Sequence, residues 1–170
     1  MSTTPQDSTA LHVDVTVEIP LDHAFAVFTE RFDEIKPREH NLLDVPIERT
    51  VLERREGGSV YDVGVDGSTC TWARVLAYEP PHRLVISWDI SPQWRIEPDP
   101  SRTSEVEIRF VTEGPERTRV RLEHRNLDRH GQGWEGFRDL ETGSGWPLYL
   151  DRFRAVVERL VGEVSAAERS

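Results

Sequence analysis

Apolar and polar residues alternate through most of the first two-thirds of the chain, and a helical rhythm replaces the alternation at its end. In Ser104–Val111 the side chains Val106, Ile108 and Phe110 share one parity, while Glu105, Glu107 and Arg109 take the other. Strand residues two apart point to the same face, so this pattern predicts a sheet with one dry and one wet face. Thr118–Arg125 repeats it, with Val120, Leu122 and His124 against Arg119, Arg121, Glu123 and Arg125. Leu11–Ile19 is a first strand carrying Val13, Val15, Val17 and Ile19 on one side, and Pro20 stops it. From Leu21 the period changes. Leu21, Phe25, Phe28 and Phe32 fall on one helical stripe, Asp22 suits the positive end of the helix dipole, and Pro37 closes a helical region that breaks in two near Asp33.

Six strand segments follow the helical pair, the Ser104–Val111 segment among them. Ile47–Arg54 and Ser59–Val63 are joined through Gly57-Gly58, and Asp66-Gly67 turns the chain into Thr69–Tyr78. His82–Ile90 comes next, then a proline-rich loop over Ser91–Thr103, then the Ser104–Thr112 and Arg117–Asn126 pair. The glycines of His130–Ser144 permit only a short helix near Trp134–Leu140. The last helix starts at Ser144–Pro147, where a proline loses nothing because first-turn amides are unpaired. Trp146, Tyr149, Phe153, Val156, Leu160 and Val164 form its apolar stripe. At 18–20 residues such a helix is roughly 30 Å long, and a strand of eight residues spans about 26 Å, so the helix can cross the whole sheet. A twisted sheet bent over one helix leaves space beneath it unless bulky side chains fill that space.

A length of 170 residues with no internal repeat or linker predicts one domain over 11–164, with a frayed tail at Met1–Ala10 and a frayed end at 165–170. The net charge of -10 argues against sequence-independent binding to nucleic acid, which needs clustered Lys and Arg. Cys70 is alone, the N-terminus shows neither a basic nor an apolar signal region, and no apolar run reaches the length of a membrane span. The expectation is a cytoplasmic protein without membrane insertion. A homodimer is left open.

The order of elements and several local strings resemble the Bet v 1-like (START/SRPBCC) superfamily, and within it the group related to the activator of Hsp90 ATPase. The matching strings are Ala24-Phe25-Ala26-Val27-Phe28-Thr29, Glu53-Arg54-Arg55-Glu56-Gly57-Gly58, and Arg74-Val75 through Glu79-Pro80-Pro81-His82-Arg83-Leu84 to Trp88. The Ser104–Phe110 strand, Leu122-Glu123-His124-Arg125 and Gly145-Trp146-Pro147 complete them. The resemblance implies an α+β helix-grip fold: a curved antiparallel sheet wrapped around a long C-terminal helix, two short helices after the first strand, and a cavity between sheet and helix. That superfamily includes lipid and hormone binders and aromatic polyketide cyclases, so the fold alone says little about chemistry.

Seven residues are candidates for lining that cavity: Phe28, Glu53, Trp88, His124, Trp146, Tyr149 and Phe153. His124 stands on the inward parity, where its imidazole would hydrogen-bond a ligand or exchange a proton; the plainer reading is a core histidine satisfied by a neighbouring carbonyl or hydroxyl. Glu53 shares parity with Val51 and would form an acid–base pair if it approached His124; otherwise it is a rim carboxylate beside Arg54 or Arg55. The aromatic candidates read equally as core, since an unfilled part of the core is what a cavity in this fold would be. The six histidines are scattered without metal-ligand spacing, no Gly-rich phosphate loop opens a helix, and Cys70 lacks an activating neighbour. No cofactor or metal is implied. Binding of a small apolar or aromatic molecule is the leading expectation, and a cyclase or dehydratase using His124 with Glu53 is the alternative. A third reading, a chaperone-cofactor module working through the sheet's outer face, is weakened by the mixed charge of that face.

Overall fold

A computed structural model describes residues 8–169. Seven strands, β1 (Leu11–Val17), β2 (Ile47–Leu52), β3 (Ser59–Gly64), β4 (Thr69–Glu79), β5 (Arg83–Trp88), β6 (Ser104–Gly114) and β7 (Arg117–Arg125), form one antiparallel sheet in the order β1-β7-β6-β5-β4-β3-β2. Helices α1 (Leu21–Glu30) and α2 (Phe32–Ile35) carry the chain from one sheet edge to the other, and α3 (Trp146–Arg169) lies over the concave face. This is the helix-grip arrangement.

Two local causes set the helical pair. Thr29 Oγ1 donates back to the Phe25 carbonyl at 2.9 Å, and Arg31, outside the helical region of backbone angles, separates α1 from α2. The break falls two residues before the expected Asp33 and turns Phe28 and Phe32 toward the sheet, both buried. Phe28 packs edge-on against Phe110 of β6 and Phe153 of α3, with ring centroids 5.7 and 5.3 Å apart. Phe25 adds an edge contact to Phe110 at 5.1 Å. These rings close the space under the middle of α3, which is packed and not hollow.

The two halves of the sheet differ in regularity. β1, β7, β6 and β5 pair with clean register over their central residues, whereas β2 carries one extra residue against β3, and β4 carries one against β3 and another against β5. Across the Val60–Tyr61 step the partners are Ala73 and Thr71, so Trp72 is the unpaired residue of β4. A bulge of this kind bends the strand and re-aims a side chain, and Trp72 and Ala73 are consecutively buried as a result.

The outer face is a lattice of ion pairs. Glu107 is almost fully covered by Arg83 at 2.6 Å, Arg109 at 2.8 Å and Arg125 at 3.4 Å. Burial alone would raise its pKa, but the hydrogen bonds from Arg109 and Arg83 outweigh it and hold the carboxyl at about 2.

At the ends of the chain, Thr9 accepts from Leu127 N at 3.0 Å, so the segment just before β1 docks on the 3-10 turn Leu127–His130; residues 1–7 of the expected tail lie outside the described residues. Helix α3 continues through Arg169, past the position where its apolar stripe was expected to end. Val161 and Val164 are 41% and 58% exposed, because the helix outlasts the sheet it covers. Among the described residues no helix is long and apolar enough to cross a membrane.

Candidate ligand cavity

A cleft of about 600 Å³ opens at the N-terminal end of α3. Its floor is Trp72 of β4 and Asp62 of β3, and one wall is Trp88, Ile90, Pro92 and Trp94. The facing wall is the 3-10 segment Trp134–Glu141, through Gly136, Phe137 and Leu140, together with Trp146 and Tyr149 from the first turn of α3. The stretch Lys36–Leu42 closes the remaining side. Gly145 is needed to start α3 here, since a Cβ at that position would sit 2.2 Å from the Leu140 carbonyl oxygen.

The rings interlock, two pairs edge to face and the third tilted. Trp72 meets Trp88 at 5.9 Å, Trp88 meets Trp146 at 5.4 Å, and Trp146 meets Tyr149 at 4.7 Å. Trp94 differs. Its ring is 52% exposed, its backbone sits at φ 61, and it leans edge-on against Phe137 at 5.5 Å, which places an aromatic face at the cavity rim.

One charged pair lies in this apolar setting. Lys36 Nζ donates to Asp62 Oδ2 at 2.9 Å, and the two side chains are 4% and 3% exposed. The ammonium also donates to the His40 carbonyl and stands 5.7 Å from the centre of the Trp72 ring. Asp62 Oδ1 accepts from Thr50 Oγ1 at 2.6 Å. Burial lowers the pKa of Lys36, with Asp62 opposing the shift. Burial followed by the Lys36 charge lowers that of His40, which leaves this half-buried imidazole neutral. Burial pushes the Tyr149 phenol up, so it remains protonated.

Of the seven residues proposed from sequence, Trp88, Trp146 and Tyr149 line the cavity. Phe28 and Phe153 lie in the packed core behind it. His124 is fully buried with its ring inward, yet it sits one layer back, screened by Trp88 and Trp146. Trp146 Nε1 donates to His124 Nδ1 at 3.0 Å. An indole N–H can only donate, so the His124 proton resides on Nε2 and goes to Ser104 Oγ at 2.7 Å. The Ser104 hydroxyl then donates to His130 Nε2, also at 2.7 Å. This is the core histidine satisfied by a hydroxyl, and its work is to fix the plane of the Trp146 ring that forms the cavity wall.

Glu53 does not approach His124. Its Oε1 accepts from Ser59 N at 2.8 Å, its backbone N–H donates to Ser59 O at 3.0 Å, and its other oxygen lies 3.6 Å from Arg55. It closes the β2–β3 hairpin as a rim carboxylate. Glu53→Ala is therefore expected to cost about 1 kcal/mol in urea unfolding while leaving ligand affinity unchanged.

Sequence reasoning missed Lys36, Asp62, Trp72, Trp94, Ser104 and His130. Asp62 had a signal, being on the same parity as buried Val60, but the bulges around β3 obscure it. Trp72 is hidden by the bulge that aims it. Nothing local marks Lys36.

A family model described as Activator of Hsp90 ATPase homolog 1-like protein matches residues 19–158. A search of curated protein sequences gives no match. Among solved structures, one described as the anthrahydroquino-gamma-pyrone synthase Txn09 complexed with SUM is 35% identical, with 90% of this chain and 99% of that one covered and a TM-score of 0.61. The self-sacrificing resistance protein CalC from Micromonospora echinospora is 29% identical, with 91% and 96% covered and a TM-score of 0.64. CalU16 from the same organism, at 23% identity, 93% and 82% coverage and a TM-score of 0.54, shares the fold. With 140 consecutive positions matched, the chain belongs to the Activator of Hsp90 ATPase homolog 1-like family.

Proposed function

We propose that this protein binds a flat, polycyclic aromatic molecule in the cleft at the start of α3. The observation that carries the reading is the cleft's make-up: about 600 Å³ walled by Trp72, Trp88, Trp94, Trp146 and Tyr149, with Lys36–Asp62 as its one buried ion pair. Ligand sites of this size are mostly apolar with a few placed polar groups that set orientation. Trp94, 52% exposed at the rim, offers an open face on which a fused ring system stacks. The 35% identical neighbour, described as an anthrahydroquino-gamma-pyrone synthase, supports this ligand class.

A synthase or cyclase activity on the same ligand is the second reading, favoured by that neighbour's name. The titratable groups lining the cleft are Lys36, Glu39, His40, Asp62, Asp139 and Tyr149, and neither Glu53 nor His124 is among them. The carboxylate could accept a proton from a ligand hydroxyl or acidic C–H while the ammonium donates to an adjacent carbonyl oxygen, a proton exchange in which no redox partner is consumed.

A thermal-shift series over fused-ring aromatics of two to four rings tests the binding reading. A ligand at 100 times its Kd adds about 2.7 kcal/mol, which raises the Tm of a chain this size by roughly 5–10 °C. No shift with any member of the series would overturn the proposal.

A further inference from the structure

Lys36 is the only lysine among the 21 Lys and Arg side chains of the chain. Arginine serves the ion-pair lattice on the outer sheet face, where a guanidinium that never loses its proton suits a carboxylate partner. The one amine side chain stands instead at the floor of the cleft. Its Nζ is surrounded by three groups that all line the cavity: Asp62 Oδ2 at 2.9 Å, the His40 carbonyl, and the Trp72 ring, centred 5.7 Å away. The other Asp62 oxygen, Oδ1, is held by Thr50, which is not part of the lining. Nζ and Oδ2 therefore lie on the cavity side of the pair and Oδ1 on the core side. A buried ion pair is a poor stabiliser, since apolar residues of like volume often do as well or better. An amine beside a carboxylate has a chemical use that a guanidinium lacks: it can lose a proton and become a nucleophile. Burial, which lowers the Lys36 pKa, favours that loss, and Asp62 is placed to take the proton.

Resting on the binding reading above, we propose that Lys36 forms an imine with a ligand that carries an aldehyde or ketone carbonyl on its ring system. Nζ passes one proton to Asp62 Oδ2, and its lone pair attacks the carbonyl carbon, so a C–N bond forms as the C=O π bond breaks. The alkoxide oxygen takes a proton from the newly bonded nitrogen. Asp62 then returns its proton to that hydroxyl, which leaves as water while the nitrogen lone pair closes the C=N bond. One ammonium and one carbonyl give one iminium and one water, and nothing is oxidised or reduced. The iminium keeps the positive charge, so Asp62 remains its counter-ion and the reaction strands no buried charge.

The chain offers an aldehyde only the Lys36 amine and the α-amino group of Met1. Near neutral pH an ordinary lysine is the weaker competitor, with on the order of a hundredfold less free amine than an α-amino group. The whole chain is treated with an equimolar amount of naphthaldehyde and with cyanoborohydride, which reduces an iminium to a stable secondary amine, and the adduct is located by peptide mass mapping. Lys36 is expected to carry at least about tenfold more adduct than the α-amino group, the reverse of the solution order. Saturating methylnaphthalene, which has the same rings and no carbonyl, is expected to suppress the Lys36 adduct by occupying the cleft. An adduct confined to the α-amino group, or divided in the solution order, while equilibrium dialysis shows methylnaphthalene bound, overturns the imine and leaves the cavity as a binding site. A Lys36 adduct undiminished by methylnaphthalene overturns the placement of the reaction in the cleft. Binding of neither compound, with no adduct at Lys36, overturns the binding reading and this inference with it. Every arm uses the wild-type protein, so none depends on a variant that folds.

Discussion

Asp62→Leu is expected to lower the unfolding free energy by about 3–5 kcal/mol, the usual cost of removing one partner from a buried pair. The carboxylate is the acceptor for both Lys36 Nζ and Thr50 Oγ1, and its loss strands an ammonium that is 4% exposed. Lys36→Met should cost a similar amount by stranding the carboxylate. The double variant Lys36→Met/Asp62→Leu replaces both charges with apolar groups of comparable volume and is expected to recover most of the loss, to within about 1 kcal/mol of wild type, because two desolvation penalties vanish together. Urea midpoints at unchanged m-value measure all three. If the double variant is as unstable as the sum of the singles, the pair is not coupled as described. The same double variant keeps the aromatic walls, so it separates a fold role from a ligand role: stability returns, and any change in ligand affinity reports the pair's part in binding.

Acidification gives the second large effect. Burial depresses His124 to about 3, with the neighbouring His130 charge adding to it, and burial depresses His130 to about 4 against the opposing pull of Glu97 and Asp89. Both are below the ordinary histidine value near 6.5, so the unfolded chain binds protons that the folded chain refuses. Stability is then fully present above pH 6.5 and is lost as pH falls, by about 1.4 kcal/mol per pH unit for each histidine, until the folded values are reached. The loss is of order 5 kcal/mol for His124 and 3 kcal/mol for His130, against a typical domain stability of about 5–15 kcal/mol. Glu107 adds to it between pH 4.5 and 2, its folded value being lowered to about 2. The chain is expected to unfold near pH 4–5, measured by circular dichroism at a series of pH values in low urea. His124→Asn retains an acceptor close to the Nδ1 position and does not titrate, so its stability should fall less steeply below pH 6. An identical slope in wild type and His124→Asn would show that the buried imidazole does not titrate as its surroundings require.

The sequence made the regular half of the molecule legible and the irregular half opaque. Strands β1, β6 and β7 alternate without interruption, so the inward placement of Val106, Ile108, Leu122 and His124 follows from parity alone, and each is buried. The long helix follows from its i, i+3, i+4 stripe down to Leu160. The β2–β4 half carries bulges at Glu48 and Trp72, and a bulge shifts parity by one residue in a way that composition does not announce. The cavity floor lies in that half, which is why Asp62 and Trp72 were not found while Trp88, Trp146 and Tyr149 were. His124 shows a different limit. Its inward direction was readable, but a polar chain through Ser104 to His130 depends on where the turn Leu127–His130 returns in space, and strand parity carries no information about that.

The central claim is that an aromatic ligand enters the cleft at the start of α3, and the five indole N–H signals of the 15N-labelled protein test it most directly. Trp72, Trp88, Trp94 and Trp146 line the cleft, whereas Trp134 lies outside its lining, stacked under the Arg138 guanidinium at 4.8 Å. Titration with anthraquinone is expected to move the first four signals along one binding curve and to leave Trp134 almost in place. Four unmoved signals at saturating ligand, or a response confined to Trp134, would contradict the account.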